Sequence, residues 1–127
     1  AGEKNIVIIL EGVLMYLDAA AKEDLINTLT HLFPQHELFC DIMSKYFFEK
    51  LAQKLHMHFA RHGSTFKDLR EVPELLFTGH GYKKTNMIST IRTASDAGIF
   101  PAPKFVINLF LKKYFSGYSV YHFSYKR

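Results

Sequence analysis

One cysteine and no tryptophan occur in the 127 residues. A lone thiol builds neither a disulfide framework nor a multi-cysteine zinc site, so both are excluded. No apolar run is long enough to cross a membrane. The longest, Ile6 to Leu17, is interrupted by Glu11 and Gly12. No basic leader precedes an apolar signal segment, so the cytoplasm is the expected location and no membrane partner is expected. Repeats and low-complexity stretches are also missing. What is present is globular: 48% hydrophobic and 22% charged residues, with twelve Phe and seven Tyr. Much of the buried area should therefore come from rings. The chain suits one domain with its own core. It begins with Ala and enters a strand within a few residues, which suggests a piece of something longer.

The net charge of +4 is uneven. Residues 1–63 hold six Lys/Arg against eight Asp/Glu, and residues 64–127 hold ten against four. A basic second half can serve a nucleic-acid surface. No Arg-rich or Gly-rich binding motif accompanies these bases, so a solvated helix face and a basic C-terminus is the plainer reading. Nucleic acid is not the expected partner. A non-catalytic basic α/β domain that binds nucleic acid or a protein is kept as the alternative function.

Ile6-Val7-Ile8-Ile9-Leu10 is a continuous apolar run rich in β-branched residues. It does not alternate with polar residues, so both its faces should be buried, as in a parallel sheet covered by helices. Asp18 can cap a helix from Ala19. In it Leu25, Ile26, Leu29, Leu32 and Phe33 recur at helical spacing, with Lys22, Glu23, Asn27 and Thr30 facing out, and Pro34 ends it. Glu37 to Cys40 then reads as a second strand, completing a right-handed crossover. Ser44 can cap a helix to about residue 61. Residues 65–78 read as short helical turns, with Gly79 as a stop. Residues 84–93 read as a strand, 94–103 as a loop, Phe105 to Phe115 as a helix and Tyr118 to Lys126 as a last strand. On that strand Tyr121, Phe123 and Tyr125 share one face and Val120, His122 and Ser124 the other. The whole, 1–127, reads as one α/β unit.

Ligands of open parallel sheets bind beyond the carboxyl ends of the strands. Two carboxylates stand there, Glu11 after the first strand and Asp41 after the second. If the strands are parallel neighbours, those ends lie about 5–10 Å apart. Gly12 leaves room beside Glu11, and Tyr16 brings a polar-tipped ring to the same loop. A carboxylate directly after an apolar strand has little structural purpose, so Glu11 is a functional candidate. Asp41 divides between function and capping the following helix.

The stretch Glu11-Gly12-Val13-Leu14-Met15-Tyr16-Leu17 resembles a motif of the leucine carboxyl methyltransferase family. These are class I S-adenosylmethionine-dependent O-methyltransferases. The strand before it and the helix opening at Asp18 after it fit the same setting. The closing Gly117-Tyr118-Ser119-Val120-Tyr121 is similar to the end of that family. The resemblance is strongest at 6–33 and 117–125 and weak at 60–100. It implies the C-terminal half of a Rossmann-like sheet ordered 3-2-1-4-5-7-6, with the seventh strand antiparallel. This chain would supply strands four to seven, at roughly 5–10, 37–41, 84–93 and 118–126. The glycine-rich cofactor loop and the ribose-binding acid would lie in a missing N-terminal half, which is then a partner. The chain alone would be inactive. Glu11 and Gly12 would bind the methionine end of S-adenosylmethionine. Tyr16, and less firmly Asp41, would serve catalysis at a pocket for a carboxylate or hydroxyl of a small-molecule acceptor, under a lid drawn from 44–80. A sheet beginning at its fourth strand would leave the 5–10 edge open for a dimer.

Three further constellations have plainer readings. His56, His58 and His62 share a helical segment, and His58 and His62, four apart, share a face, but no third ligand of matching type is near that pair, so no metal is expected. Cys40 lies in an apolar strand and reads as a small hydrophobe. Gly79-His80-Gly81 precedes a strand, where a cofactor loop follows one, so it reads as a turn.

Overall fold

The computed structural model describes residues 5–52, 57, 60, 61, 63, 65–99 and 117–127. The expected histidine face at His56, His58 and His62 and the helix from Phe105 to Phe115 lie outside these residues.

Four strands form one sheet: β1 (Val7–Leu10), β2 (Gln35–Met43), β3 (Lys83–Ser89) and β4 (Tyr118–Lys126). Their spatial order is β1-β2-β4-β3. β1 and β2 run parallel, and β4 runs antiparallel to both β2 and β3. With β1 and β2 counted as strands four and five, this is the expected 4-5-7-6 order with an antiparallel seventh strand.

Helix α1 (Ala19–Leu32) makes the crossover from β1 to β2. The Asp18 carboxylate accepts the N–H of Ala21 at 2.9 Å, the expected cap. Leu38 and Cys40 of β2 and Tyr121 and Phe123 of β4 point to one face of the sheet, where Ile26 of α1 and Leu76 and Phe77 of α3 (Leu75–Thr78) cover them. Phe77 stacks on Phe123 with ring centres 4.8 Å apart, so rings do make much of this core. Cys40 is buried inside it, and burial holds its thiol far above the usual range, as suits a small hydrophobe.

His36 is a buried polar group in this core. Its Nδ1 lies 2.8 Å from the Phe33 carbonyl and its Nε2 2.8 Å from the Tyr82 hydroxyl. A carbonyl only accepts, so Nδ1 carries the proton and the Tyr82 hydroxyl donates to Nε2. Tyr82→Phe removes that donor and leaves a buried acceptor unpaired. The expected loss is about 1–2 kcal/mol, read from urea unfolding of this chain.

Several expectations are corrected. β1 is not buried on both faces: Ile8 and Leu10 pack on the core, but Val7 is 57% and Ile9 70% exposed. α1 covers one face only, and nothing among the described residues covers the other at this edge strand. Lys22 does not face out but is buried. The strand expected at 84–93 ends at Ser89, and Thr90–Asp96 is helix α4. Ser89 stops the strand, because its hydroxyl accepts the N–H of Arg92 and its carbonyl accepts the Thr93 hydroxyl. The helix expected from Ser44 to about residue 61 opens as a short α2 (Lys45–Phe47) and passes into a π-helical turn, Phe48–Ala52; Met57 and Ala60 are helical, and the rest of 53–59 lies outside the described residues. Ser44 does cap it, accepting the Phe47 N–H at 3.2 Å. The run Tyr46-Phe47-Phe48 is a poor α-helix former, since aromatic rings lose rotamer freedom against the preceding turn. Residues 65–70 form no helical turn, and Asp68 in their midst has a left-handed φ of 46°. Gly79-His80-Gly81 is the expected turn before a strand.

Candidate functional site

The carboxyl ends of β1, β2 and β3 and the amino end of β4 share one edge of the sheet. β1 is paired with β2 only as far as Leu10 against Cys40, whereas β2 continues to Met43. Asp41 is therefore inside a strand rather than after it, and it has no partner in β1. Its side chain turns over the end of the shorter strand. One carboxylate oxygen accepts the N–H of Gly12 at 2.8 Å, and the other accepts the Tyr118 hydroxyl at 2.7 Å. Asp41 thus ties the loop after β1 to the start of β4, and it caps no helix.

Gly12 has a φ of 64°, and a Cβ there would meet nothing within 4 Å. The glycine meets a backbone requirement, and the space beside it is open. Glu11, exposed next to it, makes no hydrogen bond or ion pair among the described residues. Glu11, Gly12 and Asp41 line one cleft of about 400 Å³, with Ile9, Phe39, Val120, Thr90 and Tyr118 among its walls. Thr90 is held there by its hydroxyl, which donates to the Tyr118 carbonyl at 2.7 Å.

Beside this cleft lies a second cluster, built from Met15, Met43, Tyr16, Phe47, Phe48, Phe66, Leu69 and Tyr118. Tyr16 meets Phe66 edge-to-face at 5.3 Å, and Phe47 stacks on Tyr118 at 5.9 Å. Tyr16 belongs to this aromatic cluster and does not line the carboxylate cleft. Tyr118 belongs to both. Gly117 brings the chain close at this point: a Cβ there would stand 2.5 Å from that of Phe47.

Burial, the Asp41 hydrogen bond and the charges of Asp41 and Glu11 hold the Tyr118 phenol far above its usual range, so it acts as a donor and not as a base. Tyr82 is raised by burial and by Tyr125 and Cys40, and Tyr121 is pushed up to about 12 by burial and by Glu74. Burial also lowers Lys22 from 10.5, against the pull of Asp68. The signs follow from proton linkage. Tyrosines raised in the folded state favour folding below the unfolded phenol value of 10.0, and that contribution is lost as pH climbs through the folded values. A lowered lysine acts oppositely, but only below 10.5. Stability is therefore expected to fall steadily above that pH and on past about 12. Denaturant midpoints measured across this range check the sign.

No family model matches the sequence, and no curated protein sequence matches it. The fold is similar to the crystal structure of a DUF574 family protein from Streptomyces avermitilis MA-4680, with a TM-score of 0.62 at 8% identity. The match covers 98% of this chain and 45% of that one, so the chain spans less than half the length of its structural neighbour. The described residues form a mixed α/β fold with an open four-stranded sheet, consistent with a fragment of a methyltransferase-like fold. No helix among the described residues is long and apolar enough to cross a membrane.

Of the four residues singled out from sequence, Glu11, Gly12 and Asp41 meet at one cleft and Tyr16 stands in the neighbouring cluster. Tyr118 was missed as a site residue, although it opens the last strand directly after Gly117. Lys22 and Phe66 were missed as well, and nothing local to them marks their contacts.

Proposed function

We propose that this chain is the C-terminal part of an S-adenosylmethionine-dependent O-methyltransferase of the leucine carboxyl methyltransferase type. The supporting observation is the Glu11 carboxylate, without an ion-pair partner among the described residues, set by the Asp41-bound Gly12 at the carboxyl edge of a methyltransferase-like sheet. A carboxylate with no cation against it among the described residues and an open space beside Gly12 fit the cationic methionine end of that cofactor. When bound, the cofactor supplies an activated methyl group on a positively charged sulfur. Glu11 and Gly12 would hold its cationic end. Asp41 keeps Gly12 in place, and both its oxygens are engaged, so its role is to position rather than to remove a proton. The aromatic cluster of Tyr16, Phe48, Phe66 and Tyr118 would receive a small acceptor. Holding donor and acceptor in line is the main catalytic task. A carboxylate acceptor needs no base at neutral pH, and a hydroxyl acceptor does.

The remaining cofactor contacts belong to the N-terminal half of the parent protein, the partner this reading requires. The exposed apolar side chains of Val7 and Ile9 on β1 suit that docking. Calorimetry with S-adenosylmethionine tests the proposal. Micromolar-range binding by the longer parent and little by this chain is the expected result. Tight binding by this chain alone would refute the division into halves, and no binding by the parent would refute the methyltransferase reading.

A further inference from the structure

Lys22 sits on α1 with its side chain buried, and its ammonium faces a single loop. It lies 2.8 Å from the Asp68 carbonyl, 3.3 Å from an Asp68 carboxylate oxygen and 3.5 Å from the Lys67 carbonyl. Three acceptors meet the three donors of an ammonium. Asp68 holds its left-handed backbone, which strains any residue but glycine, Asn or Asp, and its carboxylate also takes Arg70 Nε at 3.1 Å. The same loop is tied at two more points: the Lys67 N–H donates to the Met15 carbonyl at 2.7 Å, and the Arg70 carbonyl accepts the Lys45 N–H at 2.9 Å. Residues 65–70 have no regular structure of their own, so these ties define their path. What the loop presents is Phe66, edge-on to Tyr16 at 5.3 Å and to Phe48 at 5.8 Å.

We infer that Lys22 is a positioning residue: through the 67–68 carbonyls it pins Phe66 against Tyr16 and so fixes the wall of the acceptor side of the site. The acceptor assignment rests on the function proposed above, while the pinning rests on geometry alone. A surface lysine would stabilise a helix without reaching a loop. A buried one, brought out of water, is retained only where its three donors are satisfied. Phe66 is then the side chain whose size limits what lies against Tyr16, and Lys22 is what keeps it from swinging out.

The absence of tryptophan supplies the test. Phe66→Trp places one indole in this chain, and its quenching by acrylamide reports exposure of the wall. Lys22→Met in that background is expected to raise the quenching constant about twofold or more and to speed amide exchange at Lys67 about tenfold, with exchange in β2 and β4 unchanged. Unchanged quenching with a merely lower melting temperature would overturn the inference. Should Lys22→Met fail to fold, Lys22→Gln takes its place, keeping a polar end group but losing the charge and the third donor; raised quenching then supports the inference and unchanged quenching overturns it. In the longer parent, S-adenosylmethionine affinity of Lys22→Met is expected to stay within about twofold, since the cofactor side is held by Asp41. A parallel loss of cofactor binding would overturn the acceptor-side placement. A parent that never binds the cofactor would refute the methyltransferase reading and leave the fluorescence result standing.

Discussion

Asp41→Ala is expected to lower the stability of this chain by about 2–4 kcal/mol, the largest effect of any single change at the site. Two donors lose their acceptor at once. The Gly12 N–H and the Tyr118 hydroxyl both end on this carboxylate, at 2.8 and 2.7 Å, and the carboxylate is only 7% exposed. Hydrogen bonds to a charged acceptor are stronger than neutral ones, and water does not replace them freely at a buried position. Asp41→Asn is the sharper comparison, because an amide has one oxygen where the carboxylate has two. It can accept from Gly12 or from Tyr118 but not from both, so about half the loss is expected. Urea unfolding of the two variants measures this. The same substitutions free the Gly12 loop, and on the function proposed above they should weaken S-adenosylmethionine binding by the parent although Asp41 would not touch it. An Asp41→Ala variant as stable as the wild type would show that the bridge between β1 and β4 carries no weight.

The elements legible in the sequence were those whose cause is local. The Ile6–Leu10 run and the alternation of Tyr121, Phe123 and Tyr125 mark strands because side-chain direction has a period of two. Asp18 and Ser44 mark helix starts because a cap contacts the backbone only three residues ahead. The edge carboxylates were legible too, since the ends of parallel strands gather ligand-binding residues whatever the rest of the fold does. What stayed hidden was non-local. Lys22 and Asp68 are 46 residues apart, and Tyr118 and Asp41 are 77 apart. A helical wheel places Lys22 on the outer face, because a charge is assigned to water unless a partner is known. The apolar stretch of the second strand ends at Cys40, and nothing local shows that the strand runs on through Asp41 to Met43. That boundary made Asp41 look like a helix cap or a catalytic group, and its overrun past β1 makes it a bridge. The exposure of Ile9 has the same origin: an apolar run states what a strand can bury, not what covers it.

Glu11→Gln separates binding from folding at the same edge. Glu11 makes no hydrogen bond or ion pair among the described residues, so its neutralisation should leave the stability of this chain within about 0.5 kcal/mol of the wild type. On the function proposed above, the parent loses the carboxylate that faces the cationic end of S-adenosylmethionine. A charge-assisted contact in a cleft contributes about 1.4–2.7 kcal/mol, which is a 10- to 100-fold weaker Kd. The loss should be smaller for the sulfoxide or thioether analogues of the cofactor if Glu11 faces the sulfonium, and equal for them if it faces the amino group that all share. Isothermal calorimetry of the parent with S-adenosylmethionine and with S-adenosylhomocysteine therefore reads the orientation as well as the role. Asp41→Ala and Glu11→Gln then form opposite patterns, one losing stability and affinity together, the other affinity alone. Equal affinity in the Glu11→Gln parent would remove Glu11 from the cofactor site, whatever the sheet resembles.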